Sequence, residues 1–125
     1  MKKVAVIDDN AIMLGRWEKK LEKESEVLLF PHALDFIEFA EKNCSIVENL
    51  DFIIVDRVNP GFDSIYDSFI QMLERCVKLT KPSLIMSSAL NMRFQRGSDG
   101  FDIFTPKGPY SLKELEEKIH FFRDV

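Results

Sequence analysis

The chain has 125 residues and a mass of 14.5 kDa, the size of one domain built around one core. Seventeen Lys and Arg against 21 Asp and Glu give a net charge of -4, which excludes the basic footprint of a nucleic-acid binder; 46% apolar and 30% charged residues exclude a disordered chain. No apolar run exceeds five residues, against the roughly 20 that a bilayer span needs, so no membrane association is expected.

In chain order, the first apolar run is Val4-Ala5-Val6-Ile7. Met1-Lys2-Lys3 precedes it and Asp8-Asp9 ends it, which is not the pattern of a secretory signal. Val27 to Phe30, Phe52 to Val55, Leu84 to Met86 and Phe101 to Phe104 follow. Such short, continuous runs suit strands buried on both faces of a parallel sheet. Between them, Leu14, Trp17 and Leu21, then Leu34, Ile37, Ala40 and Cys44, recur at helical spacing. Phe62, Ile65, Phe69, Met72 or Leu73, and Cys76 make the clearest stripe; Leu112, Leu115, Ile119 and Phe122 make the last. Asn91 to Arg96 leaves room for a short helix only, broken by Gly97-Ser98-Asp99-Gly100.

The order is a strand and a helix repeated five times. Right-handed crossovers then place helices on both faces. The expected fold is α/β, flavodoxin-like and doubly wound: one five-stranded parallel sheet in the order 2-1-3-4-5. The second and fifth strands would be its edges, with Asp102 an edge charge that discourages pairing between sheets. The pattern fills residues 1–125 as one domain and leaves no room for an appended output module. Cys44 and Cys76 lack a metal-ligand spacing and are expected to be reduced thiols in a cytoplasmic protein.

In open parallel sheets, ligands bind beyond the carboxyl ends of the strands, at the switch point between the first and third. The first strand ends in Asp8-Asp9, the third in Asp56, the fourth in Ser87-Ser88, and the fifth runs into Lys107. Each alone has an ordinary explanation. Asp9 or Asn10 suits a helix cap, Asp56 suits the turn through Asn59-Pro60-Gly61, Ser88 suits a cap, and Lys107 suits a solvated loop. Their shared position at one end of the sheet is what the ordinary explanations leave over. Three neighbouring carboxylates repel and raise one another's pKa. A hard divalent cation relieves this, and an oxygen set of this kind suits Mg²⁺. A carboxylate beside the ion can act as a nucleophile towards phosphorus, with Lys107 supplying charge and Ser88 a hydroxyl donor.

Together, Val4-Ala5-Val6-Ile7-Asp8-Asp9-Asn10, Phe52-Ile53-Ile54-Val55-Asp56, Pro60-Gly61, Ser88-Ala89 and Lys107 resemble the receiver domain of two-component response regulators, over the whole chain. The resemblance implies that Asp8 and Asp9 hold Mg²⁺ with Asp56 and the backbone carbonyl of Val58, and that Asp56 is the phosphoacceptor. Ser88 and Lys107 would bind the phosphoryl group, and Phe104, three residues before the lysine, would be the switch aromatic. It implies a histidine kinase or phosphotransfer protein as phosphoryl donor. It also implies a downstream protein reading the surface of the fourth helix, fifth strand and fifth helix, and a monomer or weak homodimer. The chain would not be an enzyme in its own right but would assist its own phosphoryl transfer and slow dephosphorylation. The resemblance places Val58 and Leu90 beside the path of the attacking water, and neither side chain can hydrogen-bond it.

Three features depart from the family's pattern. Lys107-Gly108-Pro109 carries a glycine where Lys-Pro with a cis bond is usual, so the cis bond moves to Gly108-Pro109 or the loop differs. The stretch from Ser88 to Lys107 is a few residues short, and Arg57 follows the acceptor where an apolar residue is common. The alternative reading is therefore a pseudo-receiver, the same fold used as a phosphorylation-independent interaction module. An aspartyl phosphatase is disfavoured, because Val58 and Asn10 stand where its second acid would follow Asp56 or Asp8. A dinucleotide-binding domain is disfavoured because no Gly-x-Gly-x-x-Gly follows the first strand.

Overall fold

A computed structural model describes residues 1–56, 62–76, 83–88, 95–96, 102–106 and 108–123, with side chains described for 1–56, 64–76 and 108–118. The chain runs β1 (Lys2–Ile7), α1 (Ala11–Leu21), β2 (Ser25–Phe30), α2 (Ala33–Lys42), α3 (Cys44–Glu48), β3 (Phe52–Asp56), α4 (Phe62–Cys76), β4 (Ser83–Ser88), β5 (Gln95–Arg96), β6 (Asp102–Pro106) and α5 (Leu112–Arg123). The strands form one sheet in the order β2-β1-β3-β4-β6-β5. Every ladder is parallel except that between β5 and β6.

The period of two along β1 and β3 divides the core. Ala5, Ile7, Ile53 and Val55 face one side, where α2, α3 and α4 bring Phe36, Ile37, Ala40, Val47, Phe69, Met72 and Leu73. Val4, Val6, Phe52 and Ile54 face the other, where α1 and α5 bring Met13, Trp17, Leu21, Leu112 and Leu115. Helices therefore cover both faces, which is why the strand sequences are continuously apolar and not alternating. Aromatic contacts tie the first side together: Phe30 meets Phe36 edge-on at 5.1 Å between centroids, and Phe36 meets Phe69 at 5.7 Å with the rings tilted. The far end of the sheet is fastened by Asp51. Its amide donates to the Lys3 carbonyl at 2.8 Å, and its carboxylate accepts from the Lys3 amide at 2.9 Å.

Several expectations are corrected. The sheet has six strands, not five. Gln95–Arg96, expected in a short helix, is an antiparallel strand paired Gln95↔Phe104 and Arg96↔Ile103. It supplies backbone partners to Ile103 and Phe104 on the outer side of β6, so β6 is not the outermost strand of the sheet. Residues 91–94 of the expected helix lie outside the described residues. The second helical stripe also divides. Asn43, at φ -135° and ψ 48°, interrupts the helix, and Cys44 opens α3 in place of continuing α2. With that frame, Ala33, Phe36, Ile37 and Ala40 are the buried face, while Leu34 is exposed. The expected stripe in α4 holds at Phe69, Met72, Leu73 and Cys76, all buried.

The interruption at Asn43 also corrects the reading of the cysteines. It turns Cys44 towards the end of α4, and Cys44 and Cys76 are joined as a disulfide with their Cα atoms 5.0 Å apart. They are not the reduced pair expected from composition. No helix among the described residues is long and apolar enough to cross a membrane.

Candidate functional site

The acidic site is built by strand register. Ile7 of β1 pairs with Val55 of β3, so the next residue of each strand, Asp8 and Asp56, falls in the same row at the carboxyl end of the sheet. The Asp8 amide donates to the Phe30 carbonyl of β2 at 3.1 Å, extending the ladder by one residue and fixing the backbone beneath the carboxylate. The side chain of Asn10, not an aspartate, caps α1: its Oδ1 accepts from the amides of Ile12 and Met13 at 3.0 and 3.2 Å. Both neighbouring acids are thereby left for other work. Asp8 Oδ1 accepts from the Asn10 amide at 2.9 Å, which orients the carboxylate.

Asp8 and Asp56 are almost wholly buried, at 1% and 3% exposure, whereas Asp9 is exposed. One carboxylate oxygen from each of the three lies within 4.8 Å of the others. Burying two carboxylates this close is costly unless positive charge is held nearby. An all-oxygen donor set with two buried members and one reaching from solvent fits Mg²⁺. Asp8, Asp9 and Asp56 are the residues that could hold it.

The remaining expected residues stand as follows. Asp56 pairs with Ser87, and Ser87 with Thr105; one row further, Ser88 pairs with Pro106, the residue before Lys107. The backbone of Ser88 thus lies one row beyond Asp56 on the neighbouring strand. For Ser88 and Phe104 only the backbone is described. Val58 and Lys107 lie outside the described residues, as do Arg57, Pro60, Gly61, Ala89 and Leu90.

The segment after Lys107 is described, and it explains the inserted glycine. The cis bond is Gly108-Pro109, the first of the two arrangements left open by the sequence. A Cβ on Gly108 would fall 2.5 Å from Cζ2 and 2.7 Å from Cη2 of Trp17, and 2.9 Å from the Tyr110 nitrogen. No side chain fits there. Trp17 is buried, and its ring meets Tyr110 edge-on at 5.8 Å. The indole of α1 therefore packs directly on the residue after Lys107. The clue in the sequence was the coincidence of one Trp with a glycine where none is usual, but their proximity depends on how α1 and α5 share a face.

Helix α5 then begins with a reciprocal cap. The Glu114 amide donates to Ser111 Oγ at 3.2 Å, and the Ser111 amide donates to Glu114 Oε1 at 3.3 Å. The backbone bond from Ser111, joined by its hydroxyl, holds the Glu114 carboxyl below the usual carboxylate range. One turn on, the Lys118 ammonium lies 4.4 Å from the Tyr110 ring centroid. Partial burial pulls its pKa down, against the attraction of Glu114 and Glu117.

No protein-family model and no curated protein sequence matches the chain. Solved structures do. The receiver domain of the Francisella response regulator 1452 is similar with a TM-score of 0.63 and 22% identity, over 97% of this chain and 95% of that one. The receiver domain of the histidine kinase CKI1 from Arabidopsis thaliana, solved with Mg²⁺ and BeF₃⁻, is similar with a TM-score of 0.65 and 21% identity, over 99% and 91%. The response regulator domain of Thermotoga maritima CheB is similar at 0.59 and 20%, over 99% and 92%. At these identities the likeness establishes the fold, which is that of response regulator receiver domains.

Proposed function

We propose that this chain is a phosphorylation-dependent signalling switch in which Asp56 is the phosphoacceptor. The observation that carries the reading is the convergence of Asp8, Asp9 and Asp56 within 4.8 Å at the carboxyl ends of adjacent strands. The reading takes β2-β1-β3-β4-β6 as the receiver sheet, in the order 2-1-3-4-5, with β5 an added edge. A carboxylate oxygen of Asp56 attacks the phosphorus of a phosphohistidine on a histidine kinase or phosphotransfer protein; the phosphorus–nitrogen bond breaks and its electron pair returns to the imidazole. Mg²⁺, held by Asp8, Asp9, Asp56 and the Val58 carbonyl, supplies neutralisation of the oxygen charges when bound. Asp8 is held ready by the Asn10 amide.

The new group adds roughly -1.5 to -2 of charge if ester-like values apply. Ser88 and Lys107 bind it, Phe104 turns inward, and the surface formed by the segment between β4 and β6, by β6 and by α5 changes shape for a downstream protein. This is a shift between two packings driven by local charge. Phe104 buries no hydroxyl, so the inward state is easier to populate than with Tyr. Val58 and Leu90 offer no hydrogen bond to a hydrolytic water, so self-dephosphorylation is slow. The protein acts in the cytoplasm, as a monomer or weak homodimer, and turns over no substrate of its own.

The pseudo-receiver reading gives the opposite result in one experiment. Incubation with acetyl phosphate and Mg²⁺, followed by intact-mass and peptide analysis, is expected to show one phosphoryl group on Asp56 and none in Asp56→Ala. Trp17 packs on Gly108, so its emission offers a second readout with BeF₃⁻. An unmodified protein with Mg²⁺ present, alongside a control receiver that is modified, rejects the switch.

A further inference from the structure

A covalent link and a cleft occur together on the side of the molecule formed by α2, α3 and α4, away from the acidic site. Cys44 opens α3 and Cys76 closes α4. Their environments differ: Cys44 is exposed, whereas Cys76 is only 6% exposed. A cleft of about 200 Å³ lies directly on the pair, lined by Ala40, Glu41, Cys44, Met72, Arg75 and Cys76. Its polar lining carries one charge of each sign, Arg75 and Glu41, beside the apolar Ala40 and Met72.

We propose that Cys44 and Cys76 form a reversible thiol–disulfide exchange site, in which exposed Cys44 is the sulfur that takes a small external thiol and buried Cys76 is the leaving and resolving sulfur. A glutathione thiolate attacks Cys44 Sγ from the cleft. The Cys44–Cys76 bond breaks, and its electron pair leaves on Cys76 Sγ, which takes a proton. That thiol is already provided for, since Cys76 Sγ lies 3.8 Å from the Ala40 carbonyl oxygen, within reach of a sulfur hydrogen bond. A second glutathione thiolate attacks the glutathione sulfur of the mixed disulfide and frees Cys44. The sum is one protein disulfide and two thiols giving two protein thiols and oxidised glutathione; oxidised glutathione drives the reverse.

The direction of attack follows from access, because exchange requires the nucleophile to approach along the sulfur–sulfur axis and Cys44 is far the more exposed of the two residues. The zwitterionic tripeptide matches a cleft with both an arginine and a glutamate at its walls. The closed segment of sequence separation 32 contains the whole of β3 and Asp56. The exchange therefore opens and closes a covalent loop around the strand that ends the acidic site.

The test equilibrates the intact protein with glutathione buffers from fully reduced to fully oxidised, quenches with acid and N-ethylmaleimide, and counts labels by mass spectrometry. The expected result is a change from two labels to zero along the series, with the transient glutathione adduct on Cys44. Cys76→Ser, treated with oxidised glutathione, is expected to take one glutathione; Cys44→Ser is expected to lose that modification while folded, as judged by circular dichroism. A disulfide that persists in the most reducing buffer, thiols that persist in the most oxidising one, or glutathione found on Cys76 overturns the proposal. The wild-type series decides even if a variant does not fold. It is also independent of phosphorylation at Asp56.

Discussion

The contact between Gly108 and Trp17 permits a quantitative prediction. In Gly108→Ala the new carbon would sit 2.5 Å from Trp17 Cζ2 and 2.7 Å from Cη2. Ordinary carbon–carbon contacts are about 3.5–4.0 Å, so one partner has to retreat by roughly 1 Å. The ring has little freedom to do so. Trp17 is 1% exposed and stands edge-on to Tyr110 at an interplanar angle of 64°. On the other side the Tyr110 nitrogen, at 2.9 Å, is backbone. An overpacked methyl at such a site costs about 1–3 kcal/mol. With an unfolding entropy of about 0.26 kcal/mol/K for a domain of this length, the midpoint falls by roughly 4–12 °C. The assay is thermal unfolding of the parent, Gly108→Ala, Trp17→Phe and the double variant. Phe lacks the two ring atoms that the new methyl meets. The double variant should therefore be more stable than the sum of the single changes predicts, by about 1–2 kcal/mol. A Gly108→Ala midpoint equal to the parent's, or additivity within about 0.4 kcal/mol, refutes the reasoning.

Other outcomes follow from single interactions. Reducing the Cys44–Cys76 bond releases a closed segment of separation 32, for which the chain-entropy relation gives about 3.7 kcal/mol; a midpoint roughly 14 °C lower in reductant is expected by differential scanning calorimetry. Asn10→Ala removes the cap of α1 and should cost about 1 kcal/mol in urea unfolding, whereas Asn10→Asp should cost much less. Ser25 Oγ is buried and has no partner among the described residues, so Ser25→Ala should leave stability unchanged or raise it by up to about 1 kcal/mol; a clear loss would show that the hydroxyl is satisfied. The folded-state pKa of Glu114 is depressed by Ser111. Its contribution is therefore full above the ordinary carboxylate range and disappears as pH falls through the folded value. Stability curves against pH for the parent and Glu114→Gln should differ by this acid limb, and parallel curves would remove Glu114 from the cap.

Most of the sheet was legible because burial on both faces leaves an unmistakable trace. Val4 to Ile7 and Phe52 to Val55 are uninterrupted apolar runs, and only a covered parallel sheet makes use of them. The convergence of Asp8, Asp9 and Asp56 was legible for the same reason, since it needs only the knowledge that parallel strands end on one side. What escaped were features decided by tertiary contact. Gln95–Arg96 is too short to carry a period, and it becomes a strand because β6 offers it backbone partners. Cys44 has the spacing of an α2 face residue, yet the backbone turn at Asn43 hands it to α4. Leu34 fits a helical stripe as well as Ala33 does, and only the placement of α2 on β1 and β3 decides which is buried.

The acids owe their proximity to the core and not to one another. Three carboxylates have no reason to gather by themselves; Asp8 and Asp56 meet because Ile7 pairs with Val55 one row earlier. That pairing is fixed by the faces of both strands. A slip of one residue between β1 and β3 would move Ala5 and Ile7 out of register with Ile53 and Val55, and would set large side chains of the α1 and α5 side against small ones of the α2 and α4 side. Such a slip would also send the two carboxylates to different rows. The hydrophobic sequence of β1 and β3 is therefore as much a part of the candidate site as its ligands. It holds like charges together in a place where a bound cation would offset their repulsion. Substitutions buried in Val4–Ile7 or Phe52–Val55 should accordingly weaken any chemistry at Asp56 without touching it.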